Sequence, residues 1–225
     1  MKMFIFHASG HSLHGWLIRN LTGGEWNHSG IGFMRDRPDD PNPLADEPIP
    51  SDIFYFESYW KKTPPTNRDG IRGPVPWEDV LAWSRQDPGN RYIQQWLPLS
   101  SDQAVIGYHY CVSLVGKVAY AFTQLWFNAK RFLTGMGQAS WQSTGPAKMT
   151  CSEFASRTWD LVDPGVPGKP GPCRKYLGIG DRWIFDDVPP SYRDIGLAEA
   201  VENYLAASTP PLRAGCAAPS QTSSS

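Results

Sequence analysis

The sequence of 225 residues has few cysteines and almost no net charge. Its four cysteines form no closely spaced pair, so we expect neither a disulfide framework nor a structural zinc site; they are Cys111, Cys151, Cys173 and Cys216. Twenty-one Lys and Arg residues against 22 Asp and Glu residues leave a net charge of −1. This balance provides no general attraction to nucleic acid or to an anionic membrane.

The sequence also lacks a long uninterrupted apolar run. Its longest apolar stretch, residues 104–127, is broken by His109, Lys117 and Gln124, so it does not predict a membrane-spanning helix. The N-terminus, MKMFIFHASGH, has too short an apolar core for a secretory signal. We therefore expect a cytoplasmic protein by default, without stable membrane insertion. A phage-borne protein or an exported effector stays open as an alternative.

The length and composition predict one domain. With 40% hydrophobic and 13% aromatic residues, the chain is long enough for one well-buried core and short for two. We place the domain at residues 1–207. Residues 208–225 are rich in Ser and Pro and poor in apolar residues, which predicts a disordered tail.

Short aromatic and β-branched runs predict the strands. We expect strands in HSGIGFM (28–34), DIFYFESYW (52–60) and RYIQQWLPL (91–99), with a further candidate in RWIFDDV (182–188). A long proline-rich, acidic loop separates the first two. The segment TPPTNRDGIRGPVP (63–76) is interpreted as a turn cluster.

Helical spacing predicts the remaining elements. We expect helices at residues 12–22, 77–83, 101–133 with a break at Gly116, 151–162 and 196–207. The aromatic residues of the long third segment are expected mainly in the core.

Cys151 lies at the predicted start of a helix, in the stretch MTCSEF (149–154). Thr150 followed three residues later by Glu153 is the capping-box pattern, which makes Thr150 the N-cap and Cys151 the first helical residue. Unpaired backbone N–H groups and the positive end of the helix dipole favour a thiolate there. Cys151 is therefore a candidate nucleophile. The alternative is that it only packs, as free cysteines commonly do when no base is near.

A nucleophilic thiol needs a base, and the chain has five histidines. His28 begins a predicted strand on which His28, Gly30 and Gly32 share one face. A strand face made of glycines lets another element approach closely. We expect the helix that begins at Cys151 to be that element.

The other histidines have different interpretations. His7, His11 and His14 would share a helix face, but Ser9 and Gly10 interrupt a helix there, and no carboxylate or cysteine lies close by. We therefore expect no metal site.

Glu57 is a charged residue within a strongly apolar predicted strand. Charged side chains are seldom buried unless they are paired, so Glu57 needs a partner if the strand is buried. Orienting His28 would provide one. The alternative is an exposed strand end at which Glu57 faces water.

Three segments together resemble a known family. They are FHASGHSLHGWLIRNLTGGEWNHSGIGF (6–33), FYFESYW (54–60) and the region from GKVAYAF (116–122) to MTCSEFASRTWDLV (149–162). They resemble the permuted branch of the NlpC/P60 papain-like superfamily, which is related to the YiiX and YaeF proteins and, more distantly, to lecithin:retinol acyltransferase. The hallmark is the order of the site residues, because papain-type chains place the cysteine before the histidine, whereas here the histidine comes first.

The resemblance implies an α+β fold of the circularly permuted papain-like type, in which a small antiparallel sheet packs against a helix carrying the catalytic cysteine. It implies Cys151 as nucleophile, His28 as general base and acid, and Glu57 as the residue that orients the imidazole, with neither a metal nor an organic cofactor. Glu153 also belongs to the motif, and we assign it to the helix cap. Tyr120 becomes a candidate substrate contact, although relatives often carry an acidic residue after this tyrosine and this chain carries alanine.

The expected function is a cysteine hydrolase of the amidase or peptidase type that forms an acyl-enzyme with a small-molecule, peptide or lipid-acyl substrate. Transfer of the acyl group to an alcohol or amine on the same triad would instead make the protein an acyltransferase or lipid-acyl hydrolase. A non-catalytic binding module or a virion-associated protein on the same fold is the third alternative. The residues do not identify the substrate or the oligomeric state.

Overall fold

The computed structural model describes residues 1–10, 15, 26–36, 52–63, 68–121, 147–163, 201, 202 and 204–208. These residues form a mixed α+β fold around a five-stranded antiparallel sheet. Its strands are β1 (Lys2–Ser9), β2 (His28–Met34), β3 (Ile53–Thr63), β4 (Arg68–Pro76) and β5 (Arg91–Trp96). Their order across the sheet is β4-β3-β2-β1-β5, so β4 and β5 are the edge strands.

The described structure also contains three helices with defined bounds and a short parallel pair of strands. The helices are α1 (Glu78–Gln86), α2 (Ser101–Leu114) and α3 (Cys151–Val162). The strands β6 (Ala119–Tyr120) and β7 (Lys148–Met149) pair in parallel just before α3.

Side chains alternate between the two faces of the sheet, and each face supports its own core. The core on the α3 side includes Met3, Ile5, Ile31, Phe33, Phe56, Phe154 and Trp159. The core on the opposite side is mainly aromatic and includes Phe4, Phe6, Tyr55, Trp77 and Val80. The sheet therefore separates a core that packs against α2 and α3 from a mainly aromatic core that packs against α1.

Several sequence predictions are confirmed. The three runs predicted as strands at 28–34, 52–60 and 91–99 form β2, β3 and β5. The predicted break at Gly116 is also present, because α2 ends at Leu114 and Gly116 adopts a positive φ of 70°. Residues 201, 202 and 204–208 are helical, as expected for the closing helix.

Two predictions about elements are wrong. Residues 63–76 are not only a turn cluster, because they contain β4. The prolines Pro74 and Pro76 that favoured a turn are compatible with an edge strand, where a missing N–H costs little. The second helix predicted after Gly116 is replaced at its start by β6, whose backbone pairs with β7.

Other predictions lie largely outside the described residues. They concern the helix at 12–22, where only Gly15 is described and is helical, the loop at 35–50 beyond residue 36, the strand at 182–188 and the tail beyond Ser208. Ser208 itself is still helical. Within the described ranges, no helix has both the length and the apolar character needed to cross a membrane.

Candidate active site

The start of α3 is fixed by its N-cap. Thr150 has an extended backbone, and its Oγ1 accepts a hydrogen bond from the Glu153 N–H at 3.3 Å, as the capping pattern predicts. Cys151 is the first residue of the helix and is 2% exposed. The Glu153 carboxylate accepts a hydrogen bond from Arg157 one turn later, with an Nη2–Oε1 distance of 2.6 Å. Glu153 therefore stabilises the helix.

A hydrogen bond from β3 holds the segment before α3. Ser58 Oγ donates to the carbonyl oxygen of Met149 at 2.8 Å. Because Ser58 follows Glu57 directly, this bond places the beginning of α3 beside the strand residue that carries the carboxylate. The contact joins segments that lie far apart in the sequence.

Neighbouring strands bring His28 and Glu57 together. The register of β2 and β3 pairs Gly30 with Glu57, and opposite residues of an antiparallel pair share a face. The His28 and Glu57 side chains are therefore on the same side of the sheet, where His28 Nε2 hydrogen-bonds to Glu57 Oε2. Glu57 is 4% exposed, so the alternative of a carboxylate facing water does not hold.

The side chain of Cys151 lies close enough to His28 to act on the ionisation of its ring. Since Nε2 is engaged by Glu57, Nδ1 is the ring nitrogen that can face the sulfur. Burial alone would lower the pKa of His28, but the Glu57 carboxylate and the Cys151 side chain outweigh it. The pKa of His28 is consequently raised well above its ordinary value, which favours the imidazolium form.

The helix carrying Cys151 reaches His28 by a different route from the one predicted. The glycine face of β2 is filled by aromatic rings of β1, since a Cβ at Gly30 would overlap Phe6 and a Cβ at Gly32 would overlap Phe4. Helix α3 packs on the opposite face of the sheet. The prediction that it approaches the glycines is therefore wrong. The first residue of α3 meets the first residue of β2 instead.

A fourth residue, Arg72, belongs to the site and was not predicted from the sequence. It lies on β4 opposite Glu57. Its Nε donates to Glu57 Oε1 at 2.5 Å, and its Nη2 forms an ion pair with the same oxygen. The guanidinium lies over the ring of Tyr59, 4.2 Å from the ring centroid. The carboxylate of Glu57 is thus shared between Arg72 and His28.

These two cations control the ionisation of Glu57. Burial by itself would raise the pKa of this carboxyl group. The charges and hydrogen bonds of His28 and Arg72 outweigh burial and lower the pKa of Glu57 below its ordinary value. Glu57 is therefore ionised at neutral pH and accepts hydrogen bonds on both oxygens.

A cavity of about 430 Å³ opens beside His28 and Glu57. Its described lining combines charged side chains, among them Glu57 and Arg72, with six aromatic ones: Phe6, Tyr55, Tyr59, Trp60, Trp83 and Tyr120. Its volume falls within the range of about 300–1,000 Å³ that is usual for small-molecule sites. Tyr120, the candidate substrate contact, is 8% exposed and faces this cavity.

His7 does not join this group. It lies in β1, where its Nδ1 is 2.8 Å from Ser29 Oγ and where burial lowers its pKa to about 3. The other two histidines considered as metal ligands, His11 and His14, lie outside the described residues. Within the described residues, no group of three or more His, Cys, Asp or Glu side chains is arranged to hold a metal ion.

Cys111 contrasts with Cys151. It is fully buried in α2, and its sulfur lies 3.9 Å from Thr158 Oγ1. Burial raises the pKa of the Cys111 thiol, which disfavours the reactive thiolate. Cys173 and Cys216 lie outside the described residues.

No protein-family model, curated protein or solved structure matches this chain. Its class is therefore inferred from the fold and from the contacts among Cys151, His28, Glu57 and Arg72.

Proposed function

We propose that the protein is a cysteine hydrolase of the amidase or peptidase type, with a circularly permuted papain-like fold of the NlpC/P60 kind. One observation carries the proposal: Cys151 at a helix N-terminus contacts His28, which in turn contacts a buried carboxylate, Glu57. A nucleophile, a base and a group that orients the base are the components of covalent acyl transfer. Their order along the chain matches the permuted branch.

In the first half of the reaction, Cys151 Sγ attacks the acyl carbon of an amide or ester, and the carbonyl π electrons move to the oxygen. The backbone N–H of Cys151 at the start of α3 helps to hold the resulting oxyanion. When the tetrahedral intermediate collapses to a thioester, His28 gives its proton to the leaving amine or alcohol. Cys151 is only 2% exposed, so neighbouring side chains must move aside to admit the acyl group.

In the second half, His28 removes a proton from water, and the hydroxide oxygen attacks the thioester carbon. The carbon–sulfur bond breaks, the carboxylic acid leaves, and Cys151 is regenerated. Glu57 keeps the imidazole oriented through both steps by accepting from Nε2. All of these steps use groups supplied by the chain itself.

The cavity supports a substrate with an apolar or aromatic part. Its described lining includes His28, Glu57 and Ser58 but not Cys151. The cavity is therefore placed to hold the group that exchanges a proton with His28. This group is either the leaving group or an acceptor that replaces water. Acyl transfer to an alcohol or amine is therefore the second candidate function, on the same residues. A peptide or a lipid-acyl compound would satisfy this requirement as well as a small molecule.

Acyl-enzyme trapping tests the proposal. The protein is incubated with a series of 4-nitrophenyl acyl esters and acyl amides, and intact mass and product release are followed. We expect a transient gain of one acyl mass on Cys151, which Cys151→Ala abolishes. Cys111→Ala is the matched control, because it removes a buried thiol outside the site and should retain acylation.

Equal labelling of wild type and Cys151→Ala would contradict the proposal. So would wild-type protein that no ester acylates, and that result would favour a non-catalytic binding module on the same fold.

A further inference from the structure

The buried part of the site carries an unbalanced charge without Arg72. In its reactive form, the triad would contain a thiolate at Cys151, an imidazolium at His28 and a carboxylate at Glu57, which sum to one negative charge. An uncompensated charge in a buried site is costly. The guanidinium of Arg72 brings the sum to zero. Its side chain is 25% exposed, whereas the Glu57 side chain is 5% exposed.

The geometry divides the carboxylate of Glu57 between two partners. Oε1 accepts from Arg72 Nε at 2.5 Å and is paired with Nη2, while Oε2 contacts His28 Nε2. Two donors on one oxygen fix the plane of the carboxylate, so the other oxygen is held toward the imidazole.

The backbone of β4 and the ring of Tyr59 fix Arg72 in turn. The guanidinium stacks on Tyr59, 4.2 Å from the ring centroid. The next residue, Gly73, has a φ of 137°, and a Cβ there would overlap Phe56. Only glycine fits this backbone comfortably, so the direction in which β4 presents Arg72 is set by the fold.

We propose that Arg72 is a positioning residue of the site: it is the counter-ion that keeps Glu57 ionised and directs Oε2 toward His28. The inference rests on the proposed function, because it assigns a role relative to the Cys151–His28 pair. Arg72 contacts neither the nucleophile nor the reacting atoms in the described structure, and it acts through Glu57.

Charged and titratable groups from the neighbouring described elements lie around Glu57 and Arg72. They are His28 from β2, Tyr55, Tyr59 and Lys61 from β3, Asp79 from α1, Tyr120 from β6 and Cys151 from α3. His7 of β1 lies on the other face of the sheet, and its electrostatic interaction is with His28. Burial raises the pKa of both Tyr55 and Tyr59, so they stay neutral near pH 7. Arg72 and His28 are the cations that contact the Glu57 carboxylate.

A double-mutant cycle on the pH profile of Cys151 alkylation tests the inference. Iodoacetamide labelling is measured from pH 4 to 9 for wild type, Arg72→Gln, Glu57→Gln and the double variant. The acid limb is the pH range over which the labelling rate rises from its low value. We expect Arg72→Gln to shift this limb to higher pH by about one unit. In the Glu57→Gln background, where no carboxylate needs a counter-ion, the same change should alter the rate less than about twofold.

Two further variants separate positioning from folding. Arg72→Lys keeps the charge but loses the planar fork and the stacking, so its limb should lie between those of wild type and Arg72→Gln. Arg85→Gln is the matched control, because Arg85 lies in the exposed last turn of α1. It should leave the profile unchanged.

Equal losses from Arg72→Gln with and without Glu57 would overturn the inference and indicate a structural role alone. An unshifted limb in Arg72→Gln, beside a wild type that reacts at acid pH, would overturn the inference and leave the proposed function standing. A wild-type profile like that of an ordinary thiol would overturn both.

Discussion

Two histidines on adjacent strands of the sheet show what decides the state of an imidazole in this protein. His7 on β1 is fully buried, and its pKa is lowered to about 3 by burial. The His28 side chain on β2 keeps 21% exposure beside the cavity, and its pKa is raised well above the ordinary value although burial opposes the charge. The two side chains lie on opposite faces of the sheet, in neighbouring rows.

The contacts of the two rings explain the difference between their pKa values better than their burial does. His7 contacts two neutral groups, the hydroxyl of Ser29 and the amide of Gln95, and the nearby charge of His28 lowers its pKa further. The neighbours of His28 are the Glu57 carboxylate and the sulfur of Cys151, and both raise its pKa. A histidine without an anionic partner is thus a structural hydrogen-bonding group in this sheet, and a histidine with one is equipped for proton transfer.

The same substitution at both positions should give the largest difference. We expect His28→Gln to slow iodoacetamide labelling of Cys151 at pH 6 by about 100-fold or more, because only about 0.3% of an ordinary thiol is present as the reactive thiolate at that pH. His7→Gln is the matched control and should change the rate less than about threefold, because His7 lies outside the site. Similar losses of labelling rate in both variants would show that His7 and His28 do not differ in their effect on Cys151.

The pH dependence of the unfolding free energy should show that His7 is neutral in the folded protein. Its pKa is about 3 in the folded protein against 6.5 for the free side chain, so the unfolded state binds an extra proton between these pH values. The unfolding free energy therefore decreases as the pH falls below 6.5, and this decrease continues until about pH 3.

Replacing His7 by Gln should remove this slope. The difference in unfolding free energy between pH 7 and pH 4.5 should shrink by about 2.5 kcal/mol in urea titrations. Glu78→Gln on the exposed start of α1 is a control for general charge effects. A slope unchanged by His7→Gln would show that His7 is not neutral when buried.

Removing the anionic partner of His28 should make it resemble His7. In Glu57→Gln the pKa of His28, followed by NMR of the imidazole carbons, should fall by about one unit or more. The pH window follows from the sign of the shift: the His28 contribution to stability is present below its unfolded pKa and is lost as the pH rises through the folded pKa. An unshifted His28 in Glu57→Gln would assign its charge to another group.

Tyr120 should give the smallest effect, because it lines the cavity, whereas the proposed proton transfer uses Cys151, His28 and Glu57. Tyr120→Phe should change kcat/KM for a turned-over ester by about threefold and leave Cys151 alkylation unchanged. A matching loss of alkylation would place the phenol in the proton-transfer machinery.

The sequence predicts those parts of the site that depend on local patterns. Thr150 and Glu153 predict the cap that makes Cys151 the first helical residue. The alternating pattern of residues 28–34 predicts a strand that begins at His28. The charge of Glu57 in an apolar run raises the question of a partner. Local patterns gave the association of these residues only as one of two alternatives, and the resemblance made it the expected one.

The features that were missed depend on tertiary packing. β4 contains Gly70, Gly73, Pro74 and Pro76, which locally favour a turn, and it pairs as an edge strand because β3 offers a partner. Arg72 lies on β4, so it was not predicted as a site residue either. The glycines of β2 showed a need for space, but only the register with β1 reveals that phenylalanine rings, rather than a helix, fill it.

The most direct test of the proposed Cys151–His28 pair is the pH profile of Cys151 alkylation in the wild-type protein, with Cys111 mapped in the same digests. The shape of the profile is decisive, since restricted access to a buried sulfur lowers the rate equally at every pH. We predict a rate that is already on a plateau at pH 6 for Cys151, while Cys111 stays unlabelled. A rate that stays low until about pH 8.5, where an ordinary thiol loses its proton, would contradict a poised cysteine–histidine pair.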